Sequence, residues 1–282
     1  MNRKERKPEW LITKGVLDSS VIQMEKKLSS TGIKTVCREA ACPNRCECWK
    51  HKSFTFILLG NDCTRNCPFC NIDYVKPLPV DESEPEKIAG FVKEMDINHI
   101  VLTSVTRDDI PDGGASQFIR TIREIRKIKK DIPIELLIPD FGDFGNFVEV
   151  IKENPSIIGH NIETVRRLYP AVRPRFKYDR CLEIISFLKS NSSGIYIKSA
   201  ILAGLGESAV EIKSAMSDLA QEGCDIIYAG QYLAPSMKHY PVDRYYTPDE
   251  FADLQDYGKS LGIKSVVCAP LVRSSYRSWE NL

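Results

Sequence analysis

"FTFILLGNDCTRNCPFC", residues 54–70, runs an apolar segment into a glycine turn and then sets three thiols into eight positions. The first part, FTFILL (54–59), reads as a buried strand. Five further runs share its character: HIVLTS (99–104), IELLIP (134–139), SIIGHN (156–161), GIYIKSAIL (194–202) and DIIYAG (225–230). Between them lie EPEKIAGFVKEM (84–95), ASQFIRTIREIRKIKK (115–130), RCLEIISFLKS (180–190) and ESAVEIKSAMSDLAQEG (207–223), with apolar residues at three- and four-residue steps. Short strands alternating with helices imply βαβ units, a parallel sheet and right-handed crossovers. Roughly six such units fit the length, so the expected fold is α/β, a partial (β/α)6 TIM-like barrel. The barrel spans residues 54–262, with an N-terminal extension (1–53) and a C-terminal tail (263–282) packed over one end. Barrel chemistry sits where strands end, which puts Cys63, Cys67 and Cys70 at the mouth.

The bulk composition excludes several classes. Lys plus Arg (39) nearly balances Asp plus Glu (38), so no global field draws the 282-residue chain to nucleic acid or to a membrane surface. The N-terminal RKERK (3–7) reads as a solvated tail, since neither an apolar h-region nor a cleavage site follows. No apolar run approaches the roughly 20 residues needed to span a bilayer. The expected compartment is the cytoplasm.

Cysteine usage is the anomaly. Of ten cysteines, Cys37, Cys42, Cys46, Cys48, Cys63, Cys67 and Cys70 crowd into residues 37–70, while Cys181, Cys224 and Cys268 are scattered. A disulfide framework suits small secreted chains, so metal or cluster ligation accounts better for the crowding. The scattered three read as small hydrophobes. Three thiolates at C-x3-C-x2-C can hold three corners of a 4Fe–4S cube and leave one iron open for chemistry. The alternative is zinc, which would want a fourth nearby ligand, and His51 is the candidate for it.

C-x3-C-x2-C with Phe69 before the last cysteine resembles the signature of the radical S-adenosylmethionine enzymes. Upstream, Cys37, Cys42 and Cys48 fall at C-x4-C-x5-C, and APLVRSSYRS (269–278) lies near the other end. Together these motifs are similar to the lipoyl synthase family. The likeness extends through KPEWL (7–11), TSVTRDDIPDGGA (103–115), GHNIETVRRLYPAVRP (159–174), KSAILAGLGES (198–208) and GQYLAPSMKHYPVDRYYTPDEF (230–251).

That resemblance implies two 4Fe–4S clusters. Cys63, Cys67 and Cys70 would hold the one whose open iron chelates S-adenosylmethionine, cleaved after one-electron reduction to a 5′-deoxyadenosyl radical. Cys37, Cys42, Cys48 and Ser275 would hold an auxiliary cluster spanning the N- and C-terminal extensions, with Ser274 as the fallback ligand. A serine oxygen should release more easily than a thiolate, which suits a cluster that is dismantled. The implied reaction inserts two sulfur atoms, at C6 and C8, into an octanoyl group on a lipoyl carrier domain, with the auxiliary cluster as sulfur donor. This is a sulfurtransferase activity completing protein lipoylation. Implied partners are octanoylated lipoyl domains of 2-oxoacid dehydrogenase E2 subunits or the glycine cleavage H protein. A flavodoxin or ferredoxin reductant and iron–sulfur assembly factors are implied as well.

Other positions follow with less specificity. Gly204 and Glu207 in AGLGES, and Asn161 and Glu163 in HNIET, are the cofactor-binding candidates, against ordinary turn, cap and surface roles. Arg107–Asp109 and Arg273 are candidates to orient the cluster, cofactor or carrier, while His160 and His239 read as structural. The chain departs from the family at Cys46, where a glycine is usual, and at Ala234, Cys268 and Ala269. Cys46 reads either as a spare thiol or as a competitor of Cys48 or the serine. Two rival functions stay open: a radical enzyme using its auxiliary cluster for electron transfer, as in peptide-modifying dehydrogenases, and a non-catalytic iron–sulfur carrier.

Overall fold

The computed structural model describes residues 6–12 and 19–281; residues 3–5 of the charged N-terminal run lie outside the described residues. Among the described residues the strands are β1 (Lys34–Thr35), β2 (Ser53–Leu58), β3 (Asp62–Cys63), β4 (Asp73–Tyr74), β5 (His99–Ser104), β6 (Ile134–Leu137), β7 (Ile157–Gly159), β8 (Tyr196–Ala203), β9 (Ile226–Gln231) and β10 (Ser265–Cys268). The main sheet has the order β1-β2-β5-β6-β7-β8-β9-β10. All its pairings are parallel except β1 with β2.

Why these residues form this sheet is plain from their burial. Every residue of β2 and β9 is buried, as parallel strands covered on both faces require. The expected helices appear as Glu84–Glu94, Ala115–Ile128, Tyr178–Asn191 and Ala209–Gln221, joined by Phe144–Ile151 and Pro248–Ser260. Two of them begin with reciprocal capping boxes, Ser208 with Glu211 and Thr247 with Glu250, which satisfy backbone donors that would otherwise be orphaned.

All six expected strands are present, and the parallel order continues through β10, inside the stretch read from sequence as tail. Among the described residues the ladder does not close into a full barrel. The chain after β10 instead crosses back towards β2 and β5. Thr55 Oγ1 on β2 donates to Ser275 Oγ at 2.9 Å, and Ser278 Oγ lies 3.5 Å from His99 Nε2 on β5. The N-terminal extension is fastened beside this crossing by Trp49, fully buried and stacked on Phe54 of β2 at 5.1 Å. Among the described residues no helix is long and apolar enough to cross a membrane.

Candidate active site

The loop leaving β2 carries the first thiol trio. β3 and β4 pair at its base, and a turn from Cys70 N to Cys67 O (3.0 Å) brings those two cysteines together. Arg65 stiffens the loop: Nε donates to Asp108 Oδ2 at 2.9 Å and Nη2 to Asp108 Oδ1 at 2.6 Å. Its guanidinium carbon lies 4.2 Å from the Phe176 ring centre, and that of the buried Arg173 lies 3.8 Å from the same ring. A cavity of about 280 Å³ opens here, lined by Cys63, Cys67, Cys70, Asn161, Glu163 and Arg173 among others.

The second trio is assembled from short helical turns. Cys37 sits on Val36–Glu39, Cys42 follows in the next turn, and Cys48 lies on Arg45–Lys50. The tail completes the wall. Asn44 Nδ2 donates to Leu271 O at 2.7 Å, while Tyr276 Oη and Arg277 Nε both donate to Glu47. Gly230 on β9 lets the tail pass, since a Cβ there would collide with the Val272 carbonyl. The resulting cavity of about 440 Å³ is lined by Cys37, Cys42, Cys48 and Ser275 together. It shares Phe69, Cys70, Asn161 and Glu163 with the first cavity.

The two serines of the tail part company. Ser275 meets Thr55 beside the second trio, whereas Ser274 Oγ donates to Asn161 Oδ1 at 3.2 Å. Cys46 does not appear in either cavity wall among the described residues. Ala234 lines the second cavity, and Cys268 is buried in β10. Arg273 also lines the second cavity, beside Cys42, and Arg107 is spent on Asp109 at 2.8 and 2.9 Å. His160 Nδ1 meets Ile138 O at 3.1 Å, and His239 Nδ1 meets Ser236 Oγ at 2.9 Å.

Gly204 and Glu207 are placed elsewhere. Glu207 accepts from the Gly204 and Leu205 backbone N–H groups at 2.6 and 2.9 Å, so its carboxylate closes its own turn. Gly204 has φ +98, and a Cβ on it would strike Gln231 and the Arg244 carbonyl. Neither residue lines the two cavities. Sequence reasoning missed Thr55, Asn44 and Glu47 as tail anchors, and Phe176 between two arginines. Only the position of Asn44 and Glu47 among the cysteines offered a signal.

Electrostatics show what the trios need. Burial pushes Cys67 up to about 11 and Cys70 up to about 12, with neighbouring thiols adding to both. Burial pushes Cys37 up to about 11, and it raises Cys42 and Cys48 too. Thiols this reluctant to ionise become ligands when a metal centre displaces their protons. Among the described residues no three His, Cys, Asp or Glu groups converge as on a single metal ion. Each trio lines a cavity, and the exposed His51 lines neither. Among the described residues, two buried donors of the first cavity's lining, Arg65 Nη1 and Arg173 Nε, have no hydrogen-bond partner. They suit an anionic or acceptor-rich guest.

Likenesses to known proteins agree with this chemistry. The pattern of the Radical SAM superfamily matches residues 57–219. The lipoyl synthase of Chlorobium limicola is 46% identical over 283 residues, covering 99% of this chain and 97% of that protein. The lipoyl synthase of Caldicellulosiruptor saccharolyticus is 44% identical over 277 residues, covering 98% and 97%. Among solved structures, the FeFe-hydrogenase maturase HydG from Carboxydothermus hydrogenoformans superposes with a TM-score of 0.57 at 14% identity, over 93% of this chain and 77% of that one. That last likeness speaks for the fold alone. End-to-end identity with sulfur-inserting enzymes favours that chemistry over electron transfer by the second cluster, and it brings S-adenosylmethionine and 4Fe–4S clusters as cofactors. With both thiol trios ringing adjoining cavities, the chain belongs to the lipoyl synthase family of the Radical SAM superfamily.

Proposed function

We propose that this chain converts an octanoyl group, amide-linked to a lysine of a lipoyl carrier domain, into its C6,C8-dithiolated form. The observation that carries the proposal is Ser275, from the far tail, lining one cavity with Cys37, Cys42 and Cys48. Under this reading those four residues hold the auxiliary cluster, and Cys63, Cys67 and Cys70 hold the cluster that binds S-adenosylmethionine. When bound, these groups supply hydrogen abstraction from unactivated carbon and the sulfur atoms.

The chain supplies the surroundings. Arg65 and Arg173 place positive charge beside Cys67, lowering the cost of its thiolate. Asn161 and Glu163 stand in the wall common to both cavities, where they can orient the cofactor's polar groups towards the acyl chain. Glu163 holds a left-handed backbone, φ +63, which is costly for a residue with a side chain and marks a constrained position in this wall. Val36, Phe69 and Leu137 line both cavities and give an alkyl chain a dry path between them. The N-terminal extension, barrel and tail thus act as one unit in this reading. The carrier is an E2 lipoyl domain or a glycine cleavage H protein, served in the cytoplasm. A flavodoxin or ferredoxin supplies electrons, and assembly factors rebuild the spent cluster.

The test is anaerobic reconstitution with iron and sulfide counting, followed by mass spectrometry of an octanoyl-lysine peptide. Two clusters per chain and a gain of two sulfur atoms are expected. One cluster per chain, or S-adenosylmethionine cleavage with no sulfur gain, overturns the proposal.

A further inference from the structure

Ser274 and Ser275 are adjacent in the chain and both line the second cavity, but they turn to different partners. Ser275 turns to Thr55 at the second trio, while Ser274 donates to Asn161 Oδ1. The other end of that amide, Asn161 Nδ2, donates to Glu163 Oε1 at 2.9 Å. A hydroxyl donor on the oxygen and a carboxylate acceptor on the nitrogen permit only one orientation of the amide. Glu163 is fixed at its backbone, where its N donates to Ala200 O at 3.0 Å and its carbonyl accepts from Leu202 N at 2.8 Å. Its carboxylate is therefore aimed by Asn161, and Asn161 is aimed by a residue of the tail. Removing the Ser274 hydroxyl frees the amide to turn and leaves its oxygen short of a donor.

We propose that Ser274 is a positioning residue that couples the two cavities: by holding Asn161 and Glu163 in the shared wall, it makes tight S-adenosylmethionine binding depend on the tail being docked. The inference rests on the function proposed above. It gives the tail two tasks on neighbouring residues, one at the second trio and one on the wall that both cavities share. A chain whose tail has left the second cavity binds the cofactor less tightly, and so consumes less of it when no sulfur can be delivered. Coupling of this kind is reciprocal, so bound S-adenosylmethionine in turn keeps the tail docked.

The experiment uses the anaerobically reconstituted full chain. Equilibrium dialysis measures S-adenosylmethionine affinity for the wild type, Ser274→Ala, Ser274→Thr, Asn161→Ala and the Ser274→Ala/Asn161→Ala double variant. Ser274→Ala is expected to weaken binding about fivefold, the scale of one neutral hydrogen bond, with iron and sulfide per chain unchanged. Ser274→Thr restores wild-type affinity, and the double variant binds no more weakly than Asn161→Ala alone. A second readout is iron release to a chelator, which S-adenosylmethionine slows in the wild type and leaves unslowed in Ser274→Ala. Wild-type affinity in Ser274→Ala, additive losses in the double variant, or equal protection from the chelator each overturn the coupling while leaving the function standing. Iron loss in Ser274→Ala overturns it in favour of a ligand role. A wild-type chain that binds no S-adenosylmethionine overturns the function and the coupling together.

Discussion

The two thiol trios are built in opposite ways. Cys63, Cys67 and Cys70 belong to one loop at the end of one strand, buttressed by Arg65 on Asp108 and by Arg173 beside Phe176. Cys37, Cys42 and Cys48 stand on consecutive short turns whose cavity is walled by a segment more than 200 residues away, as the 220-residue separation of Thr55 and Ser275 shows. Their charges are balanced alike: Cys67 has Arg173 and Arg65 lowering it and Glu163 raising it, while in the second trio Arg273 and Arg45 lower Cys42 and Glu47 raises Cys48. Among the described residues the first cavity has no part of the tail in its wall, whereas the second is walled partly by residues 272–276.

The sharpest way to break this contrast is to remove one thiol from each side. Cys67→Ala should abolish formation of 5′-deoxyadenosine and halve the iron per chain. Cys42→Ala should halve the iron yet still cleave S-adenosylmethionine. Equal loss of cleavage in both would show that the trios do not divide the labour. Next in size, Ser275→Ala should retain cleavage and lose sulfur insertion, read by mass spectrometry of the octanoyl-lysine product. Normal sulfur gain would remove that serine from the site.

A smaller effect is expected at Gly230. Alanine there crowds the Val272 carbonyl, an overpacking that costs about 1–3 kcal/mol and falls on the tail. Faster iron loss from the second trio, with the first unchanged, is the expected signature, followed by chelation kinetics and thermal unfolding. The smallest concerns pH. The Arg65 hydrogen bonds hold Asp108 below the ordinary carboxylate range. A lowered folded pKa contributes stability above the unfolded value, near 4, that is lost as pH falls through the lowered one. With Asp108 half exposed, the pair is worth at most about 1 kcal/mol. Asp108→Asn should flatten the acid-side fall in retention of the first cluster. An unchanged profile would mean that the arginine does not buttress the loop.

What could be read from sequence follows the same division. The local trio, its strand and the six apolar runs were legible because each is a contiguous pattern. β10 was not, having only four residues with burial that alternates along it. Phe144–Ile151 was hidden because its eight residues are too few to display a repeating apolar period. Gly204 and Glu207 drew attention as a glycine turn at a strand end, and the turn is real. Its carboxylate, however, is consumed by its own backbone, a fact no spacing reveals. Pairings such as Tyr276 with Glu47, 229 residues apart, exist only once the sheet has brought both ends of the chain to one place.

The crossing of the tail over the gap between β10 and β2 has a consequence for biogenesis. Residues 270–278 leave the ribosome after every parallel strand, so the second cavity lacks a wall until synthesis has passed them, whereas the first cavity draws on nothing beyond residue 176. Maturation of this protein therefore has a built-in order, with the wall of one metal pocket complete once residue 176 has been made and that of the other only after residue 276.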